Sequence, residues 1–145
     1  MISILKQLQP MINNAVEHLI AHGIRPSAQR ISIMEYLISH RTHPSVDMIY
    51  EDLSKSMPTL SKTTIYNTLK ILEEKGAIIE LTIDKKTAHY DGFTAPHSHF
   101  LCRKCGKIYD MPLVESAKQI NTDFQIDDVV IYYHGVCKDC LRLND

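Results

Sequence analysis

The sequence has no excess of basic charge, no long hydrophobic run, no low-complexity segment and no cysteine before position 102. Each absence removes a class of protein. Net charge is −1; residues 1–92 carry ten Lys/Arg and ten Asp/Glu, and residues 93–145 six and seven. Any nucleic-acid binding must therefore rest on a local patch, not on a global basic field. Nowhere do 18 apolar residues follow one another, and residues 1–10 lack an apolar core or small-residue cleavage site, so the chain is expected to be soluble, cytoplasmic and without a membrane partner. The four cysteines are confined to the last 44 residues as Cys102-x-x-Cys105 and Cys137-x-x-Cys140, which is a metal pattern and not a secreted disulfide framework.

With 145 residues and 44% hydrophobic content, one large or two small domains can bury a core. The first 76 residues read as helical. Ile12, Ala15, Val16, Leu19 and Ile20 share one face, ended by His22-Gly23 and Pro26. Ser27 is placed to cap a second helix striped by Ile31, Met34, Leu37 and Ile38, which breaks at Arg41-Thr42-His43-Pro44. Ser45 caps a third helix with Ile49, Leu53 and Met57 spaced four apart. After the turn Met57-Pro58-Thr59, Ser61 caps a fourth helix that ends at Gly76.

In the fourth helix Ile65, Leu69 and Leu72 point inward, while Thr63, Asn67, Lys70 and Glu74 lie opposite and Tyr66 sits at the flank. A polar helix entered by a short turn from a preceding helix fits helix-turn-helix recognition of the major groove. A solvated outer face would give the same pattern. The following segment favours the first reading: Ala77 to Ile83 is rich in β-branched residues, Asp84-Lys85-Lys86 is polar, and Thr87 to Asp91 runs out extended. A hairpin in that position makes a winged helix. Ser61, Thr63, Thr64, Tyr66, Asn67 and Lys70 are then the candidate recognition residues, with Lys85 and Lys86 at the wing tip for phosphate.

Residues 92–96 read as a hinge between a domain of residues 1–91 and one of residues 97–145. Beyond it, Phe100 to Met111 suggests a strand pair around the first knuckle. Leu113 to Phe124 shows helical spacing through Val114, Ala117, Ile120 and Phe124, and Ile126 to His134 is strongly β. Two CxxC pairs suit a structural zinc held by four thiolates; a thioredoxin-like redox pair, with Arg103 and Lys104 lowering a thiol pKa, is the other reading. His97 and His99 alternate with Ser98, so both imidazoles leave one side of a strand, and Asp110 could return opposite them. Asp91 precedes the hinge and His43 lies in the break between helices two and three. His89 lies between two readings, a ligand beside Asp91 or a wing surface residue; His18, His22, His40 and His134 read as ordinary polar residues.

These motifs together resemble the ferric-uptake-regulator superfamily over nearly all of residues 12–142. The matching stretches are Arg25-Pro26-Ser27-Ala28-Gln29-Arg30, Thr42-His43-Pro44, Thr63-Thr64-Ile65-Tyr66-Asn67-Thr68-Leu69, His97-x-His99-x-x-Cys102-x-x-Cys105-Gly106-Lys107 and Gly135-Val136-Cys137-x-x-Cys140. The resemblance implies an α+β chain: an N-terminal winged helix-turn-helix domain, then a small α/β dimerisation domain, acting as a homodimer on palindromic double-stranded operator DNA. It implies structural Zn(II) on Cys102, Cys105, Cys137 and Cys140. It also implies regulatory Fe(II) or Mn(II) on His43, Asp91, His97, His99 and Asp110. Asp at positions 91 and 110 and Asn67 after Tyr66 match the peroxide-responsive repressor (PerR-like) branch, in which iron-catalysed oxidation of a ligand histidine is the signal; an iron- or other metal-responsive repressor without peroxide sensing is the alternative. Three imidazoles and two carboxylates suit Fe(II) or Mn(II) with one open position. A non-haem iron oxygenase could use a similar ligand set, but no substrate pocket is evident in so short a chain, and a zinc module that binds another protein leaves the fourth-helix pattern unexplained. The chain is therefore expected not to be an enzyme.

Overall fold

A computed structural model of the chain describes residues 14–114, 120 and 122–143. Its element order is α1 (Ala15–Ala21), α2 (Ala28–Ser39), α3 (Val46–Leu53), α4 (Lys62–Glu74), β1 (Ile79–Leu81), β2 (His89–Asp91), β3 (Ser98–Cys102), β4 (Ile108–Met111), β5 (Tyr132–Gly135) and α5 (Lys138–Arg142). The chain divides into two compact units between Ala95 and Pro96, and the fold class is α+β.

The helices of the first unit begin where side-chain oxygens satisfy their first N–H groups. Asn14 caps α1, Ser27 accepts from Arg30 N, Ser45 from Met48 N and Ser61 from Thr64 N. Two helices end alike. Gly23 and Gly76 adopt φ of 71° and 76°, and the next N–H reaches back, Ile24 to Leu19 O at 2.9 Å and Ala77 to Leu72 O at 2.8 Å. That left-handed turn suits glycine and satisfies the last carbonyls. Between these ends Leu19, Ile33, Met34, Leu37, Ile49, Ile65, Leu69 and Leu72 are fully buried and form one core. α3 packs on α4 as the two arms of the helix-turn-helix, and both rest on α2.

Three details differ from the sequence expectations. Ile20 is exposed although it lies near the apolar stripe of α1, where Leu19 and Ala15 carry the packing; Ile12 lies outside the described residues. α3 stops at Leu53, with Met57 N–H bonded to Leu53 O across a turn, so Met57 packs on the core from the connection and not from the helix. The wing strands are only three residues each, paired antiparallel with Glu80 opposite Tyr90, because residues 82–88 form a wider tip in which Asp84 accepts from Lys86 N. After β2, Gly92 lies against α2: a Cβ there would meet Leu37 backbone and side-chain atoms at 3.2 Å.

The second unit is a three-stranded sheet in the order β4-β3-β5. β3 pairs antiparallel with β4, with His99 opposite Asp110, and parallel with β5, with Cys102 opposite Gly135. The strand expected over Ile126 to His134 is confined to Tyr132–Gly135. Extended residues become a strand only beside a partner, and the parallel ladder with β3 begins at His99 opposite Tyr132, where the His99 N–H reaches Ile131 O. Half of the helix expected over residues 113–124 falls outside the described residues; Leu113, Val114, Ile120 and Phe124 carry no helical assignment.

Candidate functional site

The four-cysteine cluster is built by strand register. Arg103 N–H donates to Gly135 O at 2.8 Å, which fixes the turn after β3 beside the end of β5 and sets Cys137 against the first knuckle. Gly106, at φ 75°, turns that knuckle back into β4. Cys102 is fully buried, and its Sγ accepts from the backbone N–H of Cys105 at 3.5 Å and of Cys137 at 3.4 Å. These N–H groups hold its thiol down to about 6. Cys137 is also lowered, chiefly by the Tyr109 hydroxyl and then by the Cys140 N–H, and the proton shared with Cys137 pushes Cys140 up to about 12. One ligand sulfur from each residue lies within 4.8 Å of all the others, and Cys105 Sγ is 3.8 Å from Cys137 Sγ. A tetrahedral zinc bound at about 2.3 Å separates its sulfurs by about 3.8 Å. The set fits zinc, with two sulfurs already in thiolate-favouring surroundings.

A second group of ligand-type residues lies at the other end of β3. His99 faces Asp110 across the β3–β4 ladder, and His97 stands just before the strand. Asp110 Oδ1 is 3.1 Å from His97 Nε2 and 3.5 Å from His99 Nε2, with the two rings 4.3 Å apart between centroids. Neighbouring ligands on a divalent ion at about 2.1 Å lie roughly 3 Å apart, so Asp110 stands from each of the two rings at about that spacing.

The first unit holds its own pair. His43 Nε2 is 3.4 Å from Asp91 Oδ2, and the side chains are only 2% and 1% exposed. His43 has φ 55°, uncommon for a residue with a side chain. Two tethers from β2 hold the segment there: His89 Nδ1 donates to His43 O at 2.8 Å, and Tyr90 N–H donates to Pro44 O at 3.0 Å. The other carboxylate oxygen of Asp91 accepts from Phe93 N at 2.8 Å and lies 3.8 Å from Arg41 Nη2, whose guanidinium stacks over the Phe93 ring at 4.7 Å.

The recognition candidates line the outer side of α4. Thr63, Tyr66, Asn67 and Lys70 are exposed, as are Lys85 and Lys86 in the wing. Ser61 and Thr64 differ from these. Their hydroxyls bond each other at 3.0 Å while Ser61 caps the helix, so their first task is to start α4. Lys62, which composition did not single out, ties α4 to α3 through Asp47 at 3.1 Å and lies 5.3 Å from the Tyr50 ring centre.

Sequence reasoning also missed Arg41 and Tyr109, and left His89 undecided. His89 acts on His43 through its carbonyl, a contact across 46 residues. Its other nitrogen is 3.4 Å from Asp84. No spacing rule reveals such a tie, although a half-buried histidine next to an aromatic in a wing is a hint. Tyr109 alternates with Asp110 along β4, which points it away from the imidazoles and towards Cys137.

Among known proteins, the model of the ferric uptake regulator family matches residues 21–134. The peroxide-responsive repressor PerR of Staphylococcus epidermidis is 37% identical over 141 residues, 94% of each chain. The solved structure of GAS PerR-Zn-Zn is 34% identical over 88% of each chain at a TM-score of 0.50. The Campylobacter jejuni peroxide stress regulator is 26% identical, covers 86% of this chain and 94% of its own, and superposes at a TM-score of 0.68. With the thiol tetrad, the winged helix and the His/Asp groups in place, these matches lead to one conclusion: the chain belongs to the ferric uptake regulator family of metal-responsive repressors.

Proposed function

We propose that this chain is a cytoplasmic, homodimeric transcriptional repressor that binds palindromic operator DNA when Fe(II) or Mn(II) is held by His43, Asp91, His97, His99 and Asp110, and that oxidation of a ligand histidine by peroxide releases it. The observation that carries the reading is Asp110 within 3.1 and 3.5 Å of two imidazoles, matched in the other unit by the buried His43–Asp91 pair. Each group is half of a coordination sphere. Sharing one ion would clamp the winged helix to the second unit and fix the spacing of two recognition helices in a dimer, the quantity that half-site geometry reads. The ion must favour that arrangement differentially to act as a signal.

The residues divide the work. Cys102, Cys105, Cys137 and Cys140 hold structural zinc and fix β3 at its C-terminal end. The β3–β4 ladder keeps His99 and Asp110 in register, and the tethers from His89 and Tyr90 present His43. When bound, Fe(II) would activate hydrogen peroxide for transfer of one oxygen atom to an imidazole carbon of His97 or His99, the ring being oxidised by two electrons and the other peroxide oxygen leaving as water. The added oxygen spoils the ring as a ligand and the clamp opens. Asp at positions 91 and 110, Asn67 in the recognition helix and the PerR relatives favour peroxide over iron as the signal. Exposed Ile120, Phe124, Val130 and Leu143 in the second unit supply apolar surface for a second copy.

Metal-dependent operator binding tests the reading. Mn(II) should convert weak, salt-sensitive DNA binding into specific binding, and a protein whose operator affinity ignores Mn(II) and Fe(II) is not this repressor. On the DNA side, replacing Tyr66 or Asn67 by Ala is expected to cost about 1–3 kcal/mol of specific binding with metal content and dimer intact. Replacing Lys85 or Lys86 should weaken binding to all sequences and flatten its salt dependence. Normal operator affinity in the Asn67→Ala protein at physiological salt would remove Asn67 from the interface.

A further inference from the structure

Asp91 is held by its two oxygens in different ways, and the difference assigns a role to Arg41. Oδ2 faces His43 Nε2 at 3.4 Å, on the side of the proposed regulatory site. Oδ1 is turned away, accepting from Phe93 N at 2.8 Å with the Arg41 guanidinium at 3.8 Å. Arg41 is itself held, its guanidinium carbon lying over the Phe93 ring at 4.7 Å from the centroid. A side chain 1% exposed cannot carry a full charge without compensation, and a guanidinium stacked on an aromatic ring is a fixed, permanently charged partner.

We propose that Arg41 is a positioning residue that sets the metal affinity of the regulatory site: it neutralises Asp91 when no metal is held and leaves the carboxylate only Oδ2 to offer a cation. The inference rests on the reading of His43 and Asp91 as regulatory ligands. Two consequences follow from charge alone. A fixed positive group 3.8 Å from a ligand carboxylate opposes the binding of a divalent cation there, so Arg41 weakens the site. With Oδ1 engaged, Asp91 does not fill a second coordination position, and a five-residue ligand set keeps its vacancy. Arg41 thus tunes the site towards weaker and more reversible loading, the property a sensor of fluctuating metal needs.

The test measures Mn(II) affinity of the full-length, zinc-loaded protein by titration, and its thermal stability with and without Mn(II). In Arg41→Gln, Mn(II) should bind about tenfold more tightly, while the metal-free protein should melt lower because buried Asp91 has lost a permanent counter-charge. Arg41→Lys keeps the charge and should remain close to the parent in both measurements. Should Arg41→Gln not fold, Arg41→Met, which keeps an apolar stem over Phe93, takes its place. Unchanged or weaker Mn(II) binding in the neutral variant overturns the proposal. So does identical behaviour of the Lys and Gln proteins, since packing on Phe93 would then be the agent. His99→Ala separates the two levels. If it leaves Mn(II) affinity of the parent unchanged, the regulatory site itself is misassigned and the role of Arg41 falls with it; if it abolishes binding while Arg41→Gln changes nothing, only the role of Arg41 is lost.

Discussion

Hydrogen peroxide is expected to release the iron-loaded protein from its operator and to leave the manganese-loaded protein bound. Digestion of the released protein should show a gain of about 16 Da on the peptide carrying His97 and His99, with cysteine oxidation, the competing sulfur chemistry, appearing later. The geometry supports this order. His97 and His99 both lie against Asp110, with side chains 3% and 5% exposed, so an oxidant formed beside them meets an imidazole before it meets solvent. The thiols at the other end of β3 are bound up with backbone N–H groups and with one another. On the proposed five-ligand set, loss of one imidazole should weaken the site and open the proposed clamp. Asp110→Glu adds a methylene and moves the carboxylate relative to both rings, so it should slow the oxidation while preserving Mn(II)-dependent DNA binding. Equal peroxide sensitivity of the iron and manganese forms, with oxygen found only on sulfur, would leave a plain metal-responsive repressor.

The second large effect is at the thiols. Cys102→Ser or Cys137→Ser should release zinc, unfold the second unit and abolish the dimer. Cys102 is fully buried and receives two N–H groups that a zinc-bound thiolate satisfies. Removing it leaves the knuckle, the turn after β3 and the approach of β5 without their common anchor. Structural zinc contributes roughly 10–16 kcal/mol of apparent binding energy in small zinc modules. That is comparable to the whole stability of an ordinary domain, about 5–15 kcal/mol. Elemental analysis, circular dichroism and size-exclusion chromatography would report the three losses together. A folded, zinc-free dimer would overturn the structural assignment of the tetrad.

Much of this was legible in the sequence because the signals are local. Ser27, Ser45 and Ser61 announce three helix starts, Gly23 and Gly76 two ends, and Ile65, Leu69 and Leu72 the buried face of α4. The CxxC pairs carry their chemistry in their spacing, and the alternation of His97 and His99 gives the strand side they share. What the sequence hid depends on distant partners. β5 is shorter than its β-branched run because a strand needs a register partner, and among the described residues only β3 supplies one. Arg41 gave no signal because its meaning lies in Asp91 and Phe93, some fifty positions away. His89 was ambiguous for the same reason: its carbonyl partner is His43, across the unit.

The strand order β4-β3-β5 also dictates a sequence of events during folding. Leu101 pairs with Ile108 across a tight turn, whereas Cys102 must find Gly135, 33 residues further on, in a parallel pairing that requires a crossover. The longer closure costs about 1.4 kcal/mol more in chain entropy, so the β3–β4 hairpin is expected to form first, leaving Cys102 and Cys105 as a two-thiol half-site. Their N–H···S network is completed only when Cys137 docks. Between those moments the sulfurs are unshielded. A newly made chain is therefore expected to lose its thiols to oxidants more readily than a mature one, so that the age of the protein would join its metal in setting how it meets peroxide.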